Sequence, residues 1–186
     1  LLDFDGEQAS EVVWGATKRD QAKICHDEAT RMVMSSPHLK KRIKILRNNL
    51  SVPSTNSKAE PLSSDAKSAD GLNVHCAVLD EFHAHKDADL LNVLKSATGA
   101  RTSPLIAIIT TAGFNIGGPC FQMMRSTCDV LEGKTQDDSL FALIYTLDEE
   151  DDFTDPSVWI KSNPSLDVTL PSSYIAKELT QSQNYG

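Results

Sequence analysis

Apolar positions along the chain repeat in two different ways. Continuous apolar runs rich in β-branched or aromatic residues lie at Glu11–Ala16, Val74–Leu79, Leu105–Ile109 and Leu140–Tyr145. Runs this short, bounded by Gly, Thr or Asp, predict strands buried on both faces. Between them the apolar spacing changes to three and four. Ala22, Cys25, Ala29, Met32 and Val33 predict a helix over 18–34, stopped by Ser35-Ser36-Pro37. Further helices are predicted over 88–97, over 119–131 with Pro119 in the first turn, and near 158–161 and 172–182. Ile43-Lys44-Ile45-Leu46 and Leu50-Ser51-Val52 alternate around Asn48-Asn49, the pattern of a small antiparallel hairpin. Residues 54–71, rich in Ser, Ala and Asp without periodicity, read as a loop.

Buried strands alternating with helices predict an α/β fold, a mostly parallel sheet with helices on both faces. The 186 residues are 40% hydrophobic and 24% charged, which excludes a disordered chain and allows one domain with a real core. No apolar run approaches the roughly 18 residues of a membrane span. The opening Leu-Leu-Asp-Phe-Asp-Gly-Glu has neither the basic nor the apolar region of a secretory signal. Because position 1 is not Met, the chain is expected to begin inside a larger protein. Cys25, Cys76, Cys120 and Cys128 form no CxxC pair, so reduced, mostly buried thiols are expected rather than a disulfide framework or zinc site.

Charge is segregated. The net charge is -8, yet ten of the 18 Lys and Arg lie between Lys18 and Lys58, with three of the 26 acids. An acidic chain with one basic subregion suits a protein that meets a polyanion on one face. Lys40, Lys41, Arg42, Lys44 and Arg47 are the candidates for contact with DNA or another subunit; a solvated helix face is the alternative. The acidic run Asp148-Glu149-Glu150-Asp151-Asp152 reads as a solvated loop that would repel DNA.

The chemistry concentrates where two strands end. Val74–Leu79 runs into Asp80-Glu81, and Leu105–Ile109 runs into Thr110-Thr111. Ligands of open α/β sheets bind beyond the carboxyl ends of the strands. An apolar strand followed by Asp-Glu is the Walker B pattern: the first acid holds Mg²⁺, a cation that prefers hard oxygen ligands, and the second orients and deprotonates an attacking water. A hydroxyl pair on the adjacent strand can sense a γ-phosphate. The alternative is a helix start, where acids favour the positive end of the dipole.

At these residues the chain resembles the large terminase subunit of tailed bacteriophages. The likeness is carried by Asp70-Gly71-Leu72-Asn73, Asp80 through Asp87, Thr110-Thr111-Ala112-Gly113-Phe114, Trp14 through Ala22, and Trp159 through Leu166. The resemblance implies an ASCE-type P-loop NTPase fold, incomplete at the N-terminus. It implies an ATPase using ATP and Mg²⁺ to drive double-stranded DNA into a procapsid, in the cytoplasm of an infected or lysogenic host. Portal, small terminase subunit and a homo-oligomeric ring are the implied partners. Asp80 would be the Walker B aspartate, Glu81 the catalytic glutamate, and Thr110, Thr111 and Gly113 the coupling motif. On this reading residues 1–155 are a partial ATPase domain and 156–186 linker helices leading toward an absent nuclease domain.

No GxxxxGK[ST] exists in the chain; Gly133-Lys134-Thr135 lacks the first Gly and the strand context. Without that cradle for the triphosphate, the chain by itself is expected not to turn over ATP. A trans-acting cation is expected of a ring ATPase. Asp70 occupies a position where some relatives would carry it, which leaves Arg101 and Lys67 as candidates. Two rival readings stand beside the motor: a metal-dependent hydrolase using Asp80, Glu81, His83 and His85, and a non-catalytic prophage remnant or interaction module.

Overall fold

The computed structural model describes residues 2–62 and 71–185. They pack as two compact units, Leu1–Asp129 and Val130–Gly186. The division falls at 129/130, ahead of the 155/156 expected from sequence.

The first unit is a six-stranded sheet with helices on both faces. In chain order it contains β1 (Glu11–Gly15), α1 (Arg19–Ser35), α2 (Pro37–Lys40), β2 (Lys44–Ile45), β3 (Leu50–Val52), β4 (Ser57–Pro61), β5 (Val74–Asp80), α3 (Asp89–Ala97), β6 (Leu105–Ile109) and all but the last two residues of α4 (Pro119–Leu131). The strand order is β2-β3-β4-β1-β5-β6. β4, β1, β5 and β6 run parallel, and the β2–β3 hairpin joins β4 antiparallel. The four parallel strands therefore end along one edge, which is where Asp80 and Ile109 lie in register.

Alternation along the strands splits the core in two. Val13, Ala77, Leu79 and Phe82 pack with Leu90, Leu91 and Leu94 of α3, and with Cys120 and Met123 of α4. On the other face Val12, Leu50, Ala59 and Cys76 pack with Val33 of α1 and partly buried Ala29, Leu39 and Trp14. Register between β1 and β5 slips at Glu11/Val12, where Val74 and Cys76 face consecutive residues of β1. This irregularity changes the phase, so Val74 joins the α3 face although Cys76 joins the α1 face.

Three expectations are corrected. Residues 57–61, expected in a loop, form β4 between β3 and β1. Their Ser-Lys-Ala-Glu-Pro does alternate, with Ser57, Ala59 and Pro61 buried, but the buried set is small or polar and leaves no hydrophobic signature. Of that expected loop, residues 63–70 lie outside the described residues, and with them Lys67 and Asp70. Leu140–Tyr145, expected as a third long strand, pairs with no strand among the described residues. Phe141 is 85% exposed and Leu143 67%, so its apolar character is not matched by a ladder that would satisfy its backbone. β6 is an edge strand, with Leu105 and Ile109 exposed rather than covered on both faces.

The second unit carries α5 (Trp159–Ser162) and α6 (Ser172–Tyr185). Trp159 is buried and its Nε1 donates to the Phe153 carbonyl at 2.8 Å. The acidic run is an exposed loop, as expected, pinned at one point. Lys161 Nζ donates to Asp148 at 2.6 Å and to both Asp151 oxygens at 2.8 Å, and this hydrogen bonding holds the Asp151 carboxyl below its ordinary value of 3.8. A group depressed in the fold contributes stability above its unfolded pKa that is lost as pH falls through the folded one. The loop is therefore expected to stay ordered above pH 4 and to loosen below it. Lys161→Met should loosen it at neutral pH as well, read from the amide shifts of residues 148–155.

The four cysteines are free thiols, Cys76 buried and the others half-buried. No helix among the described residues is long and apolar enough to cross a membrane.

Candidate functional site at the carboxyl edge of the sheet

β5 delivers Asp80 to the carboxyl edge, and the next residue turns the chain sharply. Glu81 sits in the left-handed region (φ 53°, ψ 45°), followed by one turn of 3-10 helix over Phe82–Ala84. A non-glycine residue there costs free energy that the surrounding structure must offset. Phe82 anchors the turn from below, 1% exposed within the α3 face of the core. Asp80 Oδ1 accepts the Glu81 N–H at 2.9 Å, and its Oδ2 lies 4.0 Å from Cys25 Sγ on α1. Burial, together with the Asp80 charge, pushes the Cys25 thiol up, so it stays a neutral neighbour. The Glu81 side chain is 43% exposed.

β6 lies beside β5 and brings Thr110 and Thr111 to the same place. The His83 N–H donates to Thr110 Oγ1 at 2.9 Å, and the Thr110 hydroxyl donates to the Thr111 carbonyl at 3.0 Å. His83 Nδ1 lies 3.1 Å from Glu81 Oε2, 3.2 Å from Thr110 Oγ1 and 3.4 Å from Thr111 Oγ1. Gly113 closes the group: a Cβ there would come within 2.8 Å of His83 Cβ. Glu81, Thr110, Thr111 and Gly113 thus meet around one histidine, with Asp80 next to Glu81 at the end of β5. Sequence spacing held no sign of that contact, because it spans 27 residues and depends on β5 pairing with β6.

The donor set fits Mg²⁺. It consists of two carboxylates and two hydroxyls, hard oxygen ligands, and neither carboxylate is paired with Lys or Arg among the described residues. The four residues of the metal-hydrolase reading do not converge as a cage. His85 is buried against Phe82, with ring centroids 5.4 Å apart. Burial pushes its imidazole below the ordinary range, against a hydrogen bond to the Asp80 backbone. Among the described residues no group of three His, Cys, Asp or Glu is placed to hold a metal.

Arg101 lies elsewhere. Its side chain is 5% exposed and donates to the carbonyls of Gln8, Ala9 and Asn73 at 2.6–3.1 Å, and to Glu7 at 3.3 Å. Asn73 and Ala9 precede β5 and β1, so Arg101 clamps the amino edge of the sheet, opposite Asp80. Beside it the buried His75 pairs with Asp5 at 2.5 Å. Arg101→Met should lower stability by about 2–3 kcal/mol, because the three carbonyls lose their donor; a urea titration measures this.

The basic candidates divide as well. Arg42 is engaged, paired with Asp3 and stacked over Phe4 at 4.6 Å. Lys40, Lys41, Lys44 and Arg47 are exposed. Arg47 lines a shallow cavity of about 220 Å³ with Arg19, Asp20, Lys23, His26, Asn48 and Pro61. Pro61 ends β4 and Arg19 begins α1, so these cations flank the carboxyl edge.

Comparison with known proteins follows the same division. The terminase large subunit ATPase domain matches residues 1–128, and the terminase large subunit endonuclease domain matches residues 134–184. The chain is 41% identical over 118 residues to protein YmfN of Escherichia coli K12, covering 63% of this chain and 26% of that protein. It is 26% identical over 183 residues to the terminase large subunit of Enterobacteria phage HK97, covering 96% of this chain and 35% of that protein. The chain thus spans about a third or less of the length of these relatives. The crystal structure of the HK97 large terminase superposes with a TM-score of 0.83 at 24% identity, over 99% of this chain and 38% of that one, a likeness of fold. With an ATPase-domain match over residues 1–128, the chain belongs to the terminase large subunit family.

Proposed function

We propose that this chain is the Walker B and coupling part of a phage DNA-packaging ATPase, in which ATP hydrolysis at the carboxyl edge drives double-stranded DNA into a procapsid. The observation that carries it is the pairing of β5 with β6, which sets Glu81 within one histidine of Thr110 and Thr111. Mg²⁺, when bound, would neutralise charge developing on the phosphates, and Asp80 would hold it. Glu81, half-exposed at the strand end, would orient the attacking water and take its proton. Thr110 and Thr111 would feel the loss of the γ-phosphate. The family's ATPase description supports nucleotide use. Portal, small subunit, a ring of copies and the bacterial host's cytoplasm belong to this reading as proposals.

Arg101 is not part of it, since its guanidinium is occupied at the other edge. Lys67 stays a candidate trans-acting cation.

The test is Mg²⁺-dependent ATP hydrolysis, measured on the chain itself and on the HK97 large terminase with this chain replacing its aligned region. The chain alone, lacking a GxxxxGK[ST], is expected to be inactive, and the chimera active. An inactive chimera that folds would overturn the reading and point to a remnant.

Duplex binding is expected through Lys40, Lys41, Lys44 and Arg47. Substituting Lys44 and Arg47 with Gln should reduce the slope of log affinity against log salt by about one for each phosphate no longer neutralised. An unchanged slope would favour a subunit contact for this face.

A further inference from the structure

His83 is assigned no part in the proposed hydrolysis, yet it touches every other member of the site except Asp80. Its Nδ1 faces a carboxylate and two hydroxyls. The Thr110 hydroxyl proton is committed to the Thr111 carbonyl, and Thr110 Oγ1 already accepts the His83 N–H. Glu81 Oε2, 3.1 Å from Nδ1, is an acceptor. The nearest neighbour of Nδ1 is thus a carboxylate oxygen, to which an Nδ1–H donates, with Thr110 Oγ1 at 3.2 Å and Thr111 Oγ1 at 3.4 Å beside it. The ring cannot swing away from β6 freely, because Gly113 packs against its Cβ and Phe82 fixes the preceding residue in the core.

We infer that His83 is a positioning residue that clamps the Glu81 carboxylate to the end of β6, so that a displacement of Thr110 and Thr111 is passed to Glu81. The inference rests on the ATPase reading for its purpose, but not for its geometry. It gives the Glu81 carboxylate a defined rotamer despite its exposure. It also gives the threonine pair a physical connection to the proposed base: one imidazole nitrogen, Nδ1, that faces both Glu81 Oε2 and the threonine hydroxyls.

Long-range ¹H–¹⁵N spectra of the histidine side chains in this chain test the geometry without turnover. His83 is expected as the Nδ1–H tautomer. Glu81→Ala and Thr110→Val should each weaken that state, and the two together should convert it to Nε2–H. An Nε2–H tautomer in the unmodified chain, or a double variant that keeps Nδ1–H, would overturn the clamp. In the HK97 chimera, His83→Leu should lower kcat about 10–100-fold, the range typical of a group that orients a reacting neighbour, with KM for ATP unchanged. His83→Asn, whose amide can donate from near the Nδ1 position, should recover most of that loss. An unchanged kcat in His83→Leu would overturn the inference alone, whereas turnover that survives Glu81→Ala would overturn the ATPase reading.

Discussion

Glu81→Ala is expected to reduce Mg²⁺-dependent ATP turnover by about 10²–10⁴-fold in the HK97 chimera, the range for loss of a positioned general base. The expectation follows from where the carboxylate stands. Glu81 is held past the end of a buried strand, in a left-handed backbone conformation, with one oxygen bonded to His83. Asp80 does not duplicate it, since it turns one oxygen to the Glu81 amide and the other toward Cys25. ATP binding should change far less than kcat, because the side chain acts on the water and not on the triphosphate. Steady-state kinetics separates the two. A loss confined to KM would place Glu81 in binding instead.

Phe82→Ala is expected to cost about 3–5 kcal/mol, a large part of the roughly 5–15 kcal/mol that stabilises a domain. Phe82 is among the largest fully buried side chains, and it packs in the cluster that joins β1, β5 and α3. Phe82 also lies between Glu81 and His83 in the turn, so the variant should lose the His83–Thr110 hydrogen bond even where it still folds. Chemical denaturation measures the first effect and the His83 spectrum the second. A loss under about 1 kcal/mol would mean that the turn is held by its hydrogen bonds and not by its anchor.

The parts of the fold legible in the sequence were those whose burial is hydrophobic. β1, β5 and β6 announced themselves as apolar runs, and α1 and α4 by spacing and by Pro37 and Pro119. β4 did not, since a strand of Ser, Lys, Ala, Glu and Pro is defined by its neighbours β3 and β1. Leu140–Tyr145 shows the converse: hydrophobicity sufficient for a strand, without a partner among the described residues. Composition could not place Arg101 either. A cation between a helix and a strand looks solvated in sequence, and its burial depends on three carbonyls that the topology brings to the amino edge.

At the site, Asp80 and Glu81 were legible because a strand end is a local feature. Their relation to Thr110 and Thr111 was an expectation about two strands lying side by side. His83 was visible only as one member of a weak His-x-His metal pattern. Its contacts separate it from His85, which is buried behind Phe82, and tie it to β6.

The central claim is that the acid pair and the hydroxyl pair face one metal–nucleotide site, and paramagnetic broadening by Mn²⁺·ATP tests it most directly. In ¹H–¹⁵N spectra of the HK97 chimera labelled in this chain's region, substoichiometric Mn²⁺·ATP should broaden the amides of residues 80–83 and 110–113 together, and Asp80→Asn should abolish that effect. Broadening confined to the acidic loop at 148–152, or at one strand end without the other, would contradict it.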